Sequence, residues 1–78
     1  MDRWQNGVHR KLMNFTNAVK KAREGCYIKR ESWPDDTLIY AENNYLHWRG
    51  SMDITYPSIN EYLATDWKCY TLEEVEKL

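Results

Sequence analysis

Several absences narrow what this chain can be. Among 78 residues there are three glycines, two prolines, two cysteines and a single phenylalanine. The glycines all fall at expected element ends, so no glycine-rich loop is available to cradle a phosphate. Cys26 and Cys69 stand far apart with no CxxC pairing, which reads as two reduced thiols of a cytosolic protein and not as a disulfide scaffold. The histidines, His9 and His47, are also solitary. A structural zinc site draws on ligands paired about two to four residues apart, so neither a metal nor a cofactor is expected. No apolar run approaches the roughly 20 residues of a membrane span, and the N-terminus is polar, so neither a membrane partner nor an export signal is expected. The net charge is −1, whereas a nucleic-acid binder would be basic overall. No strained elbow or local motif marks a Ser or Cys nucleophile. Asp35-Asp36 is an adjacent carboxylate pair, but it follows Trp33-Pro34 in a turn, where such side chains bond local amides. The chain is therefore not expected to be an enzyme.

What the sequence does hold is aromatic surface and unevenly placed charge. Hydrophobic residues make up 42% and aromatics 14%, with four Trp and six Tyr. Tyr and Trp combine an apolar body with a polar tip, which suits half-wet surfaces and interfaces as well as small cores. Residues 1–33 carry eight Lys/Arg against three Asp/Glu, and residues 34–78 carry three against nine. Such polarity is compatible with ordinary solvated faces, or with self-association of a basic half on an acidic half. A single domain of this size buries only about 60% of its unfolded surface, and many such domains gain stability by oligomerising.

The order of elements is legible from caps and periods. Residues 1–12 have no clear period and read as an N-terminal arm, followed by one domain over 13–78. Asn14 caps a helix whose Phe15, Ala18, Val19 and Ala22 recur at helical spacing, with Lys20, Lys21 and Arg23 outside or in the last turn. Gly25 ends it as a left-handed residue. A strand from Cys26 places Ile28 and Arg30 on one face, Tyr27, Lys29 and Glu31 on the other. Thr37 to Arg49 reads as a hairpin about Asn43-Asn44, residues that tolerate the positive φ of a type I′ turn, with one face of the Leu38/Ile39 strand buried and the other wetter. Ser58 and Glu61 form a capping box before Ile59, Tyr62 and Leu63, an apolar helical face, and Pro57 keeps the entry extended. Asp66-Trp67 turns into a strand, and Thr71 and Glu74 form a second capping box before Leu72, Val75 and Leu78. Helix, strand, hairpin, helix, strand, helix predicts a small α+β domain, an antiparallel sheet with short helices, and its small size favours an oligomeric form.

Arg30 and Trp33 end the first strand, Tyr45 and Trp48 lie on the hairpin, and Asp66-Trp67 form a corner. Indoles and phenols stack on bases, a carboxylate accepts from ribose hydroxyls or base amines, and arginine meets phosphate bidentately. That set suits a nucleotide better than a sugar or a lipid.

Two stretches also carry a resemblance. MNFTNAVKKAREGCYIKRESW and SINEYLATDW, in that order, resemble the opening and the ending of a family of small phage proteins typified by the Thoeris anti-defence (Tad-type) sponges. The resemblance spans roughly Met13 to Tyr70. It implies a non-enzymatic homodimer or homotetramer in the host cytoplasm that sequesters cyclic nucleotide immune signals without cleaving them. The signals it implies are cyclic ADP-ribose isomers or cyclic oligonucleotides such as cyclic dinucleotides, held in pockets between subunits. By position it implies that Trp33 stacks on the ligand, that Ser58 and Asp66 hydrogen-bond to it, and that Arg30 meets phosphate. This chain departs from the family in a shorter stretch between hairpin and Ser58, in Thr55-Tyr56 where an apolar-tryptophan pair is common, and in its arm and last helix. The alternative reading is a small phage adaptor that binds a host protein through an aromatic surface.

Overall fold

A computed structural model describes residues 11–77. In chain order the elements are α1 (Phe15–Arg23), β1 (Tyr27–Arg30), β2 (Ile39–Glu42), β3 (Tyr45–Trp48), α2 (Ile59–Leu63), β4 (Trp67–Tyr70) and α3 (Leu72–Val75). The strands form one antiparallel sheet in the order β3-β2-β1-β4, so the fold is the expected small α+β class. Of the arm read over 1–12, only Lys11 and Leu12 are among the described residues, and both are exposed; Leu78 of the last helix is outside them.

The caps form as their spacing requires. The Asn14 side chain accepts from the Asn17 amide at 2.9 Å. Ser58–Glu61 and Thr71–Glu74 each close a reciprocal capping box. The hairpin turns at Asn43 (φ 55°) and Asn44 (φ 69°), both left-handed as a type I′ turn demands, and Gly25 leaves α1 at φ 105°.

Helix α1 crosses one face of the sheet and supplies Ala18 and Ala22 to a core of Ile28, Ile39 and Trp67. Two alanines at the contact let the helix backbone approach the strands closely. The opposite face carries a second cluster, Leu38, Tyr70 and Val75, with Tyr27 packed against it, and α3 supplies the valine. The expectation of one buried and one wetter face at Leu38 and Ile39 is therefore corrected: both are buried. Alternation marks a half-exposed strand only where one face stays open, and here α3 partly closes the second.

Helix α2 departs further from a core-seeking element. Ile59, Tyr62 and Leu63 are 77%, 60% and 68% exposed, and none of its residues is buried. Its apolar face looks outward because α1 already fills the adjoining sheet face, leaving α2 a position at the margin. Ahead of it, Ile54 bridges to His47, and the Thr55 amide donates to the Leu46 carbonyl at 2.8 Å, so the linker lies along β3.

Asn44 holds a left-handed conformation that glycine adopts more readily, and Asn-Gly is the preferred pair of a type I′ turn. Relief of the left-handed conformation outweighs glycine's larger unfolded-state entropy, so Asn44→Gly should stabilise the chain by roughly 0.5 kcal/mol in chemical denaturation. A loss of stability would mean that the Asn44 side chain, and not its backbone conformation, secures the turn.

Candidate functional site

Trp67 assembles the corner to which three of the four expected site residues belong. It is wholly buried at the start of β4, its Cα opposite Arg30 of β1. Its indole N–H donates to the Glu61 carbonyl of α2 at 2.9 Å, the partner a buried tryptophan requires. Its backbone exchanges two hydrogen bonds with Met13, at 2.9 and 3.0 Å. Its ring packs against Phe15 and Trp33, each with centroids 5.3 Å away, and Trp33 in turn meets Trp48 at 5.5 Å. Phe15 continues the row to Tyr62 of α2 at 5.7 Å.

Around that row the structure brings together Arg30, Trp33 and Asp66. Arg30 Nε donates to Asp66 Oδ1 in a partly buried ion pair, with the side chains 23% and 27% exposed. The pair is reinforced through the backbone, where the Glu31 amide donates to the Asp66 carbonyl at 2.9 Å. The Trp33 amide donates to the Arg30 carbonyl at 3.1 Å, which folds the end of β1 back and sets the indole beside Trp67. The terminal nitrogens of Arg30 have no acceptor among the described residues, so the guanidinium retains donors for an anion while its Nε is held.

Ser58 stands apart from this group. It is exposed at the opposite end of α2, its hydroxyl accepting from the Glu61 amide at 3.3 Å and its amide donating to the Glu61 carboxylate at 3.1 Å. It connects to the corner through Glu61, whose carbonyl receives the Trp67 indole, and through Tyr62, whose amide donates to the Ser58 carbonyl at 2.9 Å. Of the hairpin aromatics, Trp48 joins the row and Tyr45 is exposed on β3.

Lys29 was not expected here. Its position on β1 marks it as an outward residue, yet it is 2% exposed. Its ammonium donates to the Trp33 carbonyl at 2.7 Å and the Arg30 carbonyl at 3.2 Å, and lies 3.9 Å from the Asp35 carboxylate. Nothing in the sequence marks those carbonyls as converging on the lysine.

The other chemistry-bearing groups are already engaged or inert. His47 lies with its two ring nitrogens each 3.1 Å from a carbonyl, those of Met52 and Glu42. Burial, then neighbouring Cys69, pushes the Cys26 thiol above its ordinary value, which keeps it protonated and weakly nucleophilic. Among the described residues no group of His, Cys, Asp and Glu could hold a metal ion, and no helix is long and apolar enough to cross a membrane. Two open clefts lie away from the corner. One, of about 470 Å³, runs between α1 and the hairpin tip beside Arg23 and Tyr45; the other, of about 460 Å³, is flanked by Asp35, Arg49 and Glu76.

No family model, curated protein or solved structure matches this chain. The functional reading therefore stands on the corner's chemistry and on the motifs quoted above.

Burial lowers the Lys29 pKa from its ordinary 10.5, with Asp35 opposing the shift. Between the lowered folded value and 10.5 the unfolded chain binds more protons, so stability should rise with pH across that alkaline window. Below it both states are protonated and the contribution is flat. In urea titrations at successive pH values, the stability difference between wild type and Lys29→Met should shift toward wild type as pH rises through the window. A constant difference would mean that burial does not disfavour the lysine's charge.

Proposed function

We propose that this chain is a non-catalytic phage anti-defence protein. It captures cyclic nucleotide signals, either cyclic ADP-ribose isomers or cyclic oligonucleotides, in a pocket that two copies of the chain share. The observation that carries the reading is the convergence of Arg30, Trp33 and Asp66 beside the tryptophan row. Trp33 offers an indole for a base, a contact contributing about 1–3 kcal/mol. Arg30 offers donors for a phosphate, each charge-assisted bond contributing about 1.5–3 kcal/mol net. Asp66 has a second carboxylate oxygen for a ribose hydroxyl.

A shared pocket is favoured because this corner is one wall. Ligand sites of this kind bury most of the ligand's surface, which a surface corner of a small domain cannot do alone. The exposed apolar side chains beside it, Ile59, Tyr62 and Leu63 with Tyr56 upstream, supply the area on which a second copy would sit. Such a protein acts by stoichiometry: it lowers the free signal below the effector's threshold and releases the signal intact when denatured. Ser58 contributes to this site through its helix cap, its hydroxyl accepting from the Glu61 amide and keeping its own O–H to donate.

The same exposed face favours a second reading, an adaptor that docks a host protein. The two differ in observable ways. The first expects a dimer or tetramer by light scattering and intact cyclic nucleotide released on heating after exposure to cyclase lysates. The second expects no nucleotide and one stoichiometric host protein in a pull-down. Retention of nothing across cyclic ADP-ribose isomers and cyclic dinucleotides would sink the first reading.

Asp66→Ala should abolish nucleotide retention while leaving the chain folded and its nucleotide-free assembly like that of wild type. Its cost in stability should be about 1 kcal/mol, that of a partly exposed ion pair. Unfolding of the variant would reassign the carboxylate to the fold.

A further inference from the structure

We infer that Lys29 is a positioning residue for the ligand corner: its buried ammonium fixes the turn that aims Trp33 and Arg30. The inference rests on the proposed reading for what the corner binds, and on geometry alone for what Lys29 does. The two carbonyls that the ammonium bonds belong to Arg30 and Trp33, the two residues proposed to meet phosphate and base. The Trp33 carbonyl has no other donor among the described residues. Glu31 to Asp36 leaves β1 without regular structure, held at its start by the Trp33 amide and later by the Thr37 amide on the Pro34 carbonyl at 3.0 Å. Lys29 is the tie between those points, reaching from the strand to the turn's centre.

Stability does not account for a lysine at this position. Taking an ammonium out of water costs several kcal/mol, and replacing a buried charge with an apolar residue of similar volume is often neutral or stabilising. The sheet adds a further penalty, because Lys29 is cross-strand partner to Lys68, and like charges directly opposite each other repel. Lys68 relieves part of that by lying 3.9 Å from Glu31, and Asp35 balances Lys29 only from the exposed end of the turn. What the ammonium supplies and a methyl group cannot is direction: two converging bonds that select one turn conformation. Burial that depresses the lysine's basicity is the electrostatic trace of that arrangement.

The test separates positioning from folding. Wild type, Lys29→Met and Lys29→Gln are compared by thermal melting, by amide hydrogen exchange and by calorimetric titration with cyclic ADP-ribose isomers and cyclic dinucleotides. Lys29→Met should melt no lower than wild type at neutral pH, while the amides of Trp33 and Thr37 exchange faster and nucleotide affinity falls about tenfold or more. Lys29→Gln keeps a donor and should recover part of both losses. If Lys29→Met fails to fold, Lys29→Gln against wild type carries the same comparison of turn exchange and affinity at matched stability. Unchanged exchange in the turn would overturn the inference, as would an affinity loss that merely follows global destabilisation. Should wild type itself bind none of the probes, the proposed function fails, and the exchange data still decide whether Lys29 holds the turn.

Discussion

The indole N–H of Trp67 meets the carbonyl of Glu61, and the place of α2 beside the sheet, and with it the candidate corner, depends on that bond. A wholly buried indole without an acceptor would cost about 1–3 kcal/mol, a large share of what a domain this small commands. The bond therefore fixes where α2 can sit. That position holds the end of α2 beside β4, so Asp66 emerges where β1 presents Arg30. The same ring supports Trp33 edge-on and Phe15 from α1, which links helix, sheet and turn through one side chain. A corner assembled in this way draws its parts from helix, sheet and turn at once.

How the charges are used bears on the uneven distribution along the chain. The basic first half and acidic second half suggest an intermolecular match, but part of that complementarity is satisfied within one copy. Arg30 pairs with Asp66 and Lys29 approaches Asp35, each a base of the first half on an acid of the second, while Lys68 approaches Glu31 in the reverse sense. The last two are long contacts with one exposed partner and contribute little. Arg30–Asp66 is the more protected of the three, and it lies inside the candidate site. Charge polarity in the sequence thus reports first on how the chain folds back on itself, and self-association has to be argued from the apolar surface instead.

Local features of the fold were legible because they depend on residues a few positions apart. Asn14, Ser58–Glu61, Thr71–Glu74 and Asn43-Asn44 each carry their own geometry, and all form as their chemistry dictates. The order of helices and strands along the chain was also readable. What resisted reading depends on which surfaces are left over once others are filled. Ile59, Tyr62 and Leu63 form the apolar stripe their spacing predicts, but the stripe faces outward, because α1 had already taken the sheet. Leu38 and Ile39 point to opposite faces of the sheet, one of them expected to be wetter, but α3 covers part of the second face. Lys29 is the extreme case, since nothing in the sequence announces that the carbonyls of its neighbour Arg30 and of Trp33 in the following turn will enclose its ammonium. In the candidate site, Arg30, Trp33 and Asp66 converge across distant parts of the sequence. Ser58, the fourth expected member, is engaged by its own helix.

The exposed face of α2 bears on how binding and assembly would be coupled. Covering Tyr56, Ile59, Tyr62 and Leu63 on two copies would gain of the order of 10 kcal/mol gross. Association costs about 4–15 kcal/mol in lost freedom. The two are of similar size, so this surface alone makes a weak contact between copies. Under the proposed reading a nucleotide closes the difference: a ligand bound only in the shared pocket stabilises the assembled state by mass action. The signal would then tighten the assembly that captures it. An adaptor using the same face has no such coupling, since its partner's own surface must supply the missing energy. Dependence of assembly on a small molecule is therefore the physical property that separates the two readings of this face.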